Sequence, residues 1–196
     1  MVQKLTILLL ALSLGLFSNA QNTYMDAEAE AKEKTYSGSD PYEVKTFPHD
    51  FKTDVPKNII LLIGDGMGVA QFHAGMTANK GHLFIENCRY IGFVKTASSD
   101  DYITDSAAGG TAISTGVKTY NGAIGVDPEK NPVTTILEEA EGKDLATGLV
   151  STSSITHATP ASFIAHQPSR NMYEEIAADF LKTDIDVFIG GGYEHF

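Results

Sequence analysis

Asn58-Ile59-Ile60-Leu61-Leu62-Ile63-Gly64-Asp65-Gly66-Met67-Gly68 runs from an unbroken apolar, β-branched segment straight into a glycine-rich turn. An apolar run without polar alternation predicts a strand buried on both faces, the condition of strands in a parallel sheet. A helix is expected after the turn, to about Ala78. Working outward, we expect a strand over 90–97, an Ala-, Gly- and Thr-rich helix over 106–115, and a helix over 134–141 capped by Gly142. A strand over 145–151, helices over 159–165 and 172–182, and a strand over 186–189 complete the series, which ends in Gly190-Gly191-Gly192. On the last helix Ile176, Phe180 and Leu181 share one face. Strands alternating with helices point to an α/β domain with a mainly parallel sheet. Ligand sites in such sheets gather at the carboxyl ends of the strands. Asp65, Ser106, Thr159 and Arg170 each fall just past an expected strand, or in the loop or helix start beyond it.

Composition narrows the function. The chain has 196 residues, a formal net charge of -11, 42% hydrophobic and 20% charged residues, and one cysteine. This is a globular mix, and its acidity disfavours a nucleic-acid binder, which would carry a basic face. One cysteine excludes an intrachain disulfide and a Cys-rich zinc module. No segment reaches the about 18–20 apolar residues that a membrane-spanning helix needs. Residues 1–20 have the form of an export signal: Lys4, an apolar run from Leu5 to Phe17, then Ser18-Asn19-Ala20 as a small-residue cleavage site. An uncleaved anchor is the alternative. Residues 21–57 read as a polar, acidic, extended arm, and 58–196 as the domain. The expected location is outside the cytoplasm, periplasmic or secreted. Cys88 is expected to be a small buried hydrophobe rather than a reactive thiol.

Several residues are candidates for chemistry. Asp65 lies between two glycines, which let a ligand approach the backbone closely. It reads equally as a metal ligand or as a turn Asp making an Asx hydrogen bond. If a helix starts at Ser106, its hydroxyl sits at the positive end of the helix dipole, which favours an alkoxide and a bound phosphate. The simpler reading makes Asp105 or Ser106 an N-cap. Thr159 resembles a helix N-cap with Pro160 at the first helical position. Arg170, ahead of a helix start, suits either a bidentate phosphate clamp or a surface salt bridge. The remaining histidines, His166 among them, show no ligand spacing.

Together these segments resemble the alkaline phosphatases. Asn58–Gly68 is similar to the family's first core strand and metal turn. Ile103-Thr104-Asp105-Ser106-Ala107-Ala108-Gly109-Gly110-Thr111 fits its nucleophile signature at every position, and Ser114 to Gly122 continues it. His157-Ala158-Thr159-Pro160-Ala161 and His166 to Arg170 match later blocks in order. The resemblance runs from about 57 to 196. It implies a three-layer α/β sandwich with a mainly parallel central sheet, of which this chain would hold the N-terminal part. It implies hydrolysis of phosphate monoesters through a phosphoserine at Ser106, with two zinc ions and one magnesium ion. Asp65 would bridge a zinc and the magnesium site, Thr159 would ligate magnesium, Arg170 would hold two phosphoryl oxygens and Asp105 would orient it. Homodimers are common in the family.

Two departures bear on these expectations. His157 stands where the best-known bacterial members have Asp. Mg²⁺ prefers oxygen ligands, so a nearby His is expected to loosen its hold. In addition, only Asp65 and Thr159 are present as direct metal ligands, so little turnover is expected from these 196 residues alone. Sulfatases require Cys or Ser followed by x-Pro-x-Arg, which the residues after Ser106 do not supply. The rival from another class is a non-catalytic, exported phosphate- or metal-binding protein.

Overall fold

The computed structural model describes residues 40–47 and 55–196; the expected export signal and most of the expected arm lie outside these residues. The described residues form two units, 40–47 with Gly68–Arg89, and 55–67 with Tyr90–Phe196.

In the first unit, helix α1 (Val69–Ala78) leads to a 3-10 turn, Phe84–Asn87. Two asparagine side chains hold the segment 40–47. The Tyr42 N–H donates to Asn79 Oδ1 at 2.8 Å, and Asn79 Nδ2 donates to the Tyr42 and His82 carbonyls. Asn87 Nδ2 donates to the Lys45 and Phe84 carbonyls. A carboxamide carries a donor and an acceptor, as a peptide unit does, so it can serve as a partner for extended backbone. Tyr42 also stacks on Phe84, with ring centroids 5.3 Å apart. Cys88 is exposed, not buried as expected.

The second unit contains helices α2 (Ser106–Thr115), α3 (Ile136–Glu141), α4 (Ala158–Ala161) and α5 (Tyr173–Phe180), strands β1 (Gly148–Ser154) and β2 (Val187–Gly191), and a 3-10 turn, Tyr193–His195. The strands pair in parallel, with Gly148 opposite Val187, Leu149 opposite Phe188 and Val150 opposite Ile189. The connection between them carries α4 and α5, as a parallel pair requires. The architecture is therefore α/β with a short parallel sheet, one part of the expected sandwich.

The core joins Ala107 of α2, Ile124, Ile155, Ala158 and Ala161 of α4, Ile164, Ala165, and Ile176 and Phe180 of α5. Full burial of a side chain such as Ile176 contributes about 1.5–3 kcal/mol. The buried face of α2 is built from Ala107, Ala108, Gly110, Thr111 and Ser114. These small residues allow close packing on α4, and their hydroxyls are satisfied internally. Ser114 Oγ donates to the Ser162 carbonyl, and Thr111 Oγ1 donates to the Ala123 carbonyl and accepts the Gly125 N–H. Gly116, at a φ of 74°, ends the helix in the left-handed conformation that glycine adopts without strain.

Several expectations are corrected. Residues 58–63 and 90–97 form no strand; Ile60, Leu62 and Phe93 are 84%, 89% and 104% exposed. A strand needs a ladder partner, and among the described residues only β1 and β2 find one. Leu181 is exposed, not on the face of Ile176 and Phe180 as expected: at 3.6 residues per turn it lies about 140° around the helix from Ile176. Gly142 closes α3, though in a right-handed conformation.

The contact between α2 and α4 gives a paired prediction. A Cβ at Gly110 would lie 2.9 Å from Ser162 Oγ and 3.1 Å from Ser162 Cβ, whereas at Gly109 the nearest atom is 3.7 Å away. Gly110→Val should destabilise by about 1–3 kcal/mol. Gly109→Ala should be neutral or stabilising by up to about 1 kcal/mol, because alanine is the better helix former. Thermal unfolding of the two variants checks both signs.

Candidate active site

Ser106 is the first residue of α2, and Asp105 is its N-cap. The Asp105 carboxylate serves two partners. Its Oδ1 accepts the Ala108 N–H at 2.9 Å, capping the helix, and its Oδ2 accepts from Arg170 Nη1 at 3.0 Å. The same Nη1 donates to Ser106 Oγ at 3.1 Å. Arg170 Nη2 lies 3.2 Å from His157 Nε2. A guanidinium has only donors, so this contact is a hydrogen bond when the imidazole nitrogen accepts. The Arg170 and Asp105 side chains are 25% and 28% exposed, open enough to meet a ligand yet partly desolvated. A hydroxyl at a helix N-terminus beside a guanidinium is suited to hold a tetrahedral oxyanion and to attack its centre.

Asp65 sits in a β-turn closed by a 3.1 Å bond from the Met67 N–H to the Gly64 carbonyl. Gly66 within this turn has a φ of 66°, where a side chain would be strained. The turn is exposed, contrary to the expected buried strand end. Thr159 Oγ1 donates to Asp65 Oδ2 at 2.7 Å across a sequence separation of 94. The expected cap role of Thr159 is corrected: His157 is the N-cap of α4, and Thr159 lies inside its first turn. That leaves its hydroxyl free for Asp65. The six candidates thus form two groups, Asp105, Ser106, Arg170 and His157 in one, and Asp65 with Thr159 in the other. Helix α4 carries Thr159 and is capped by His157, so it links them.

As a metal site, the Asp65–Thr159 pair offers two hard oxygen donors at close range, the ligand type magnesium prefers. Zinc fits less completely. Among the described residues, no group of three or more His, Cys, Asp or Glu converges to hold a metal ion.

The sequence reading missed the residues that hold this site in place. Asp179, on α5, has a side chain 9% exposed and accepts from Lys182 Nζ at 2.8 Å. It also accepts the His166 N–H and Gln167 Nε2, in the segment that leads to Arg170. His166, read as an ordinary residue, reaches the Gly125 carbonyl with Nδ1 and Glu138 Oε1 with Nε2. Asn121 accepts the Asp105 N–H. A carboxylate next to Phe180, on the apolar face of a helix, was the available signal for Asp179. Asn121-Gly122 signals only a turn.

The alkaline phosphatase family profile matches residues 56–196. Alkaline phosphatase 4 of Bacillus subtilis is 45% identical over 155 residues, which cover 71% of this chain and 34% of the relative. The alkaline phosphatase of Escherichia coli is 39% identical over 177 residues, covering 75% and 38%. Among solved structures, the alkaline phosphatase from the Antarctic bacterium TAB5 superposes with a TM-score of 0.70 at 49% identity, covering 72% of this chain and 41% of that one. Variants of the TAB5 enzyme with one His replaced by Asp or Glu have been solved with Mg bound in their M3 site. The fold of the matched part is thus that of part of an alkaline phosphatase. The chain belongs to the alkaline phosphatase family. It spans about a third of the length of the curated relatives it matches.

Asp179 gives a pH-dependent prediction. Burial pushes its carboxyl up, but hydrogen bonds from Lys182, His166 and Gln167 outweigh it and hold the group below the ordinary carboxylate range. A lowered native pKa contributes stability that is present above the unfolded value of about 3.9 and is lost as pH falls through the native value. Asp179→Asn should therefore cost about 1–3 kcal/mol at pH 7, and much less once the wild-type carboxyl is protonated. Denaturant unfolding of both proteins at neutral and strongly acidic pH measures the difference.

Proposed function

We propose that this chain carries the nucleophile half of a phosphate monoester hydrolase that works through a phosphoserine at Ser106. The observation that supports it is Arg170 Nη1, which reaches both Ser106 Oγ and Asp105 Oδ2 at the start of α2. Asp105 holds the guanidinium in place, so its remaining N–H groups can take phosphoryl oxygens. The N-terminus of α2 adds positive potential where the phosphoryl group would lie. Ser106 Oγ attacks phosphorus; the new Oγ–P bond forms as the ester P–O bond breaks, and the alcohol leaves with a proton. Water then attacks the phosphoserine, releasing inorganic phosphate and restoring the hydroxyl. Serine is a weak nucleophile at its free pKa and needs help to ionise.

Asp65 and Thr159 would hold magnesium, with His157, two residues before Thr159 and bonded to Arg170, outside the direct ligand set. Asp65 would also contribute to a zinc site, whose other ligands are not among the described residues. When bound, two zinc ions and one magnesium supply positive charge that stabilises the serine alkoxide and the departing oxygen. The TAB5 variants solved with Mg in their M3 site carry Asp or Glu in place of a His, in keeping with the preference of magnesium for oxygen ligands. His157→Asp is accordingly expected to tighten magnesium. The sequence of residues 1–20 supports export to the periplasm or the medium.

Incubating the complete, metal-loaded enzyme with a labelled phosphate monoester and quenching in acid should trap phosphate on Ser106. Ser106→Ala should lose the label and at least about 10³-fold in kcat. Arg170→Ala should raise KM and lower kcat together. Phosphate binding with no label on Ser106 would instead identify a phosphate-binding protein. After chelation and zinc refill, added Mg²⁺ should raise activity; indifference to it would remove the magnesium assignment.

A further inference from the structure

Residues 120–122 close the sequence signature that begins before Ser106, yet none of them touches the reacting groups. Their contacts run in two directions. Toward the nucleophile, Asn121 Oδ1 accepts the Asp105 N–H at 2.8 Å and Asn121 Nδ2 donates to the Ile103 carbonyl at 2.9 Å. One carboxamide thus brackets the turn that enters α2, fixing the backbone on which Asp105 and Ser106 stand. The Asn121 N–H is itself anchored on Asp100 Oδ1 at 3.0 Å, and Asp100 accepts Ser98 Oγ as well. Toward the arginine, Tyr120 Oη donates to the Pro168 carbonyl at 2.8 Å and the Gly122 carbonyl accepts the Arg170 N–H at 2.7 Å. Two residues on, Ile124 and Gln167 exchange backbone hydrogen bonds as an antiparallel bridge.

The nucleophile turn and the arginine turn lie 64 positions apart in sequence. Their side chains meet through one guanidinium nitrogen, but their backbones meet through 120–122. We propose that Asn121 and Tyr120 are positioning residues: Asn121 sets the place of Ser106 and Asp105, Tyr120 sets that of Arg170, and together they fix the gap that a phosphoryl group must span. The proposal rests on the phosphoryl-transfer reading of Ser106 and Arg170. Neither side chain binds the phosphoryl group, so each acts only through the geometry of groups that do. A displacement of about 1 Å between a nucleophile and its clamp is enough to weaken binding and reaction by an order of magnitude or more.

The test is the binding of inorganic phosphate to the complete, metal-loaded enzyme by calorimetry, which gives affinity and stoichiometry separately and needs no turnover. Asn121→Ala should raise the Kd for phosphate about 10-fold with stoichiometry unchanged. Tyr120→Phe, which deletes one hydroxyl and leaves the Asn121 carboxamide in place, should raise it about 2- to 3-fold. That second variant carries the test if Asn121→Ala does not yield folded protein. A merely structural role would lower the stoichiometry, through a misfolded fraction, at an unchanged Kd. That result, or wild-type Kd values in the variants, overturns the proposal. Failure of the wild type to form phosphoserine overturns the hydrolase reading instead, and the Kd comparison still decides the positioning role.

Discussion

The Asp105 carboxylate is the constraint on which the site depends. One oxygen completes the N-terminus of α2 and the other holds Arg170, so helix start, nucleophile and guanidinium share a reference point. An Asp at an N-cap is common, and an Asp–Arg pair at a partly exposed position is worth little by itself. Their coincidence in one side chain makes the position of Arg170 depend on the formation of α2. The helix in turn depends on small residues that let it settle against α4, which carries Thr159 and, through it, the contact to Asp65. Folding of this layer and assembly of the site are therefore the same event.

Charge gives the arrangement its purpose. The chain is strongly acidic, so its overall field opposes any incoming anion. Around Ser106 the fixed elements that favour an anion are the peptide dipoles at the start of α2 and the guanidinium of Arg170, whose charge Asp105 partly offsets.

Much of this was legible in the residues, in proportion to how local the cause was. Helix α2 follows from a cap residue and a run of small side chains, and its start at Ser106 agrees with that reading. The strands β1 and β2 lie close to the expected segments, because their apolar residues pair with one another. The segment 58–63 carries a stronger strand signal than either, yet it is exposed, because a ladder is a property of two segments and the pattern of one cannot supply its partner. At the site, Ser106, Asp105 and Arg170 were readable from motif and position. Asn121 and Asp179 were not: Asn121 binds backbone that leaves no mark on residue identity, and Asp179 joins His166 and Gln167, which lie more than ten residues away in sequence.

The asparagine clamp on residues 40–47 carries an evolutionary consequence. Asn79 and Asn87 grip main-chain groups of Tyr42 and Lys45, which every residue other than proline can offer in full. Apart from Tyr42, whose ring stacks on Phe84, the side chains of the gripped segment are free to drift, while the two asparagines are not. Sequence divergence among relatives should therefore concentrate on the held segment and spare the hands that hold it.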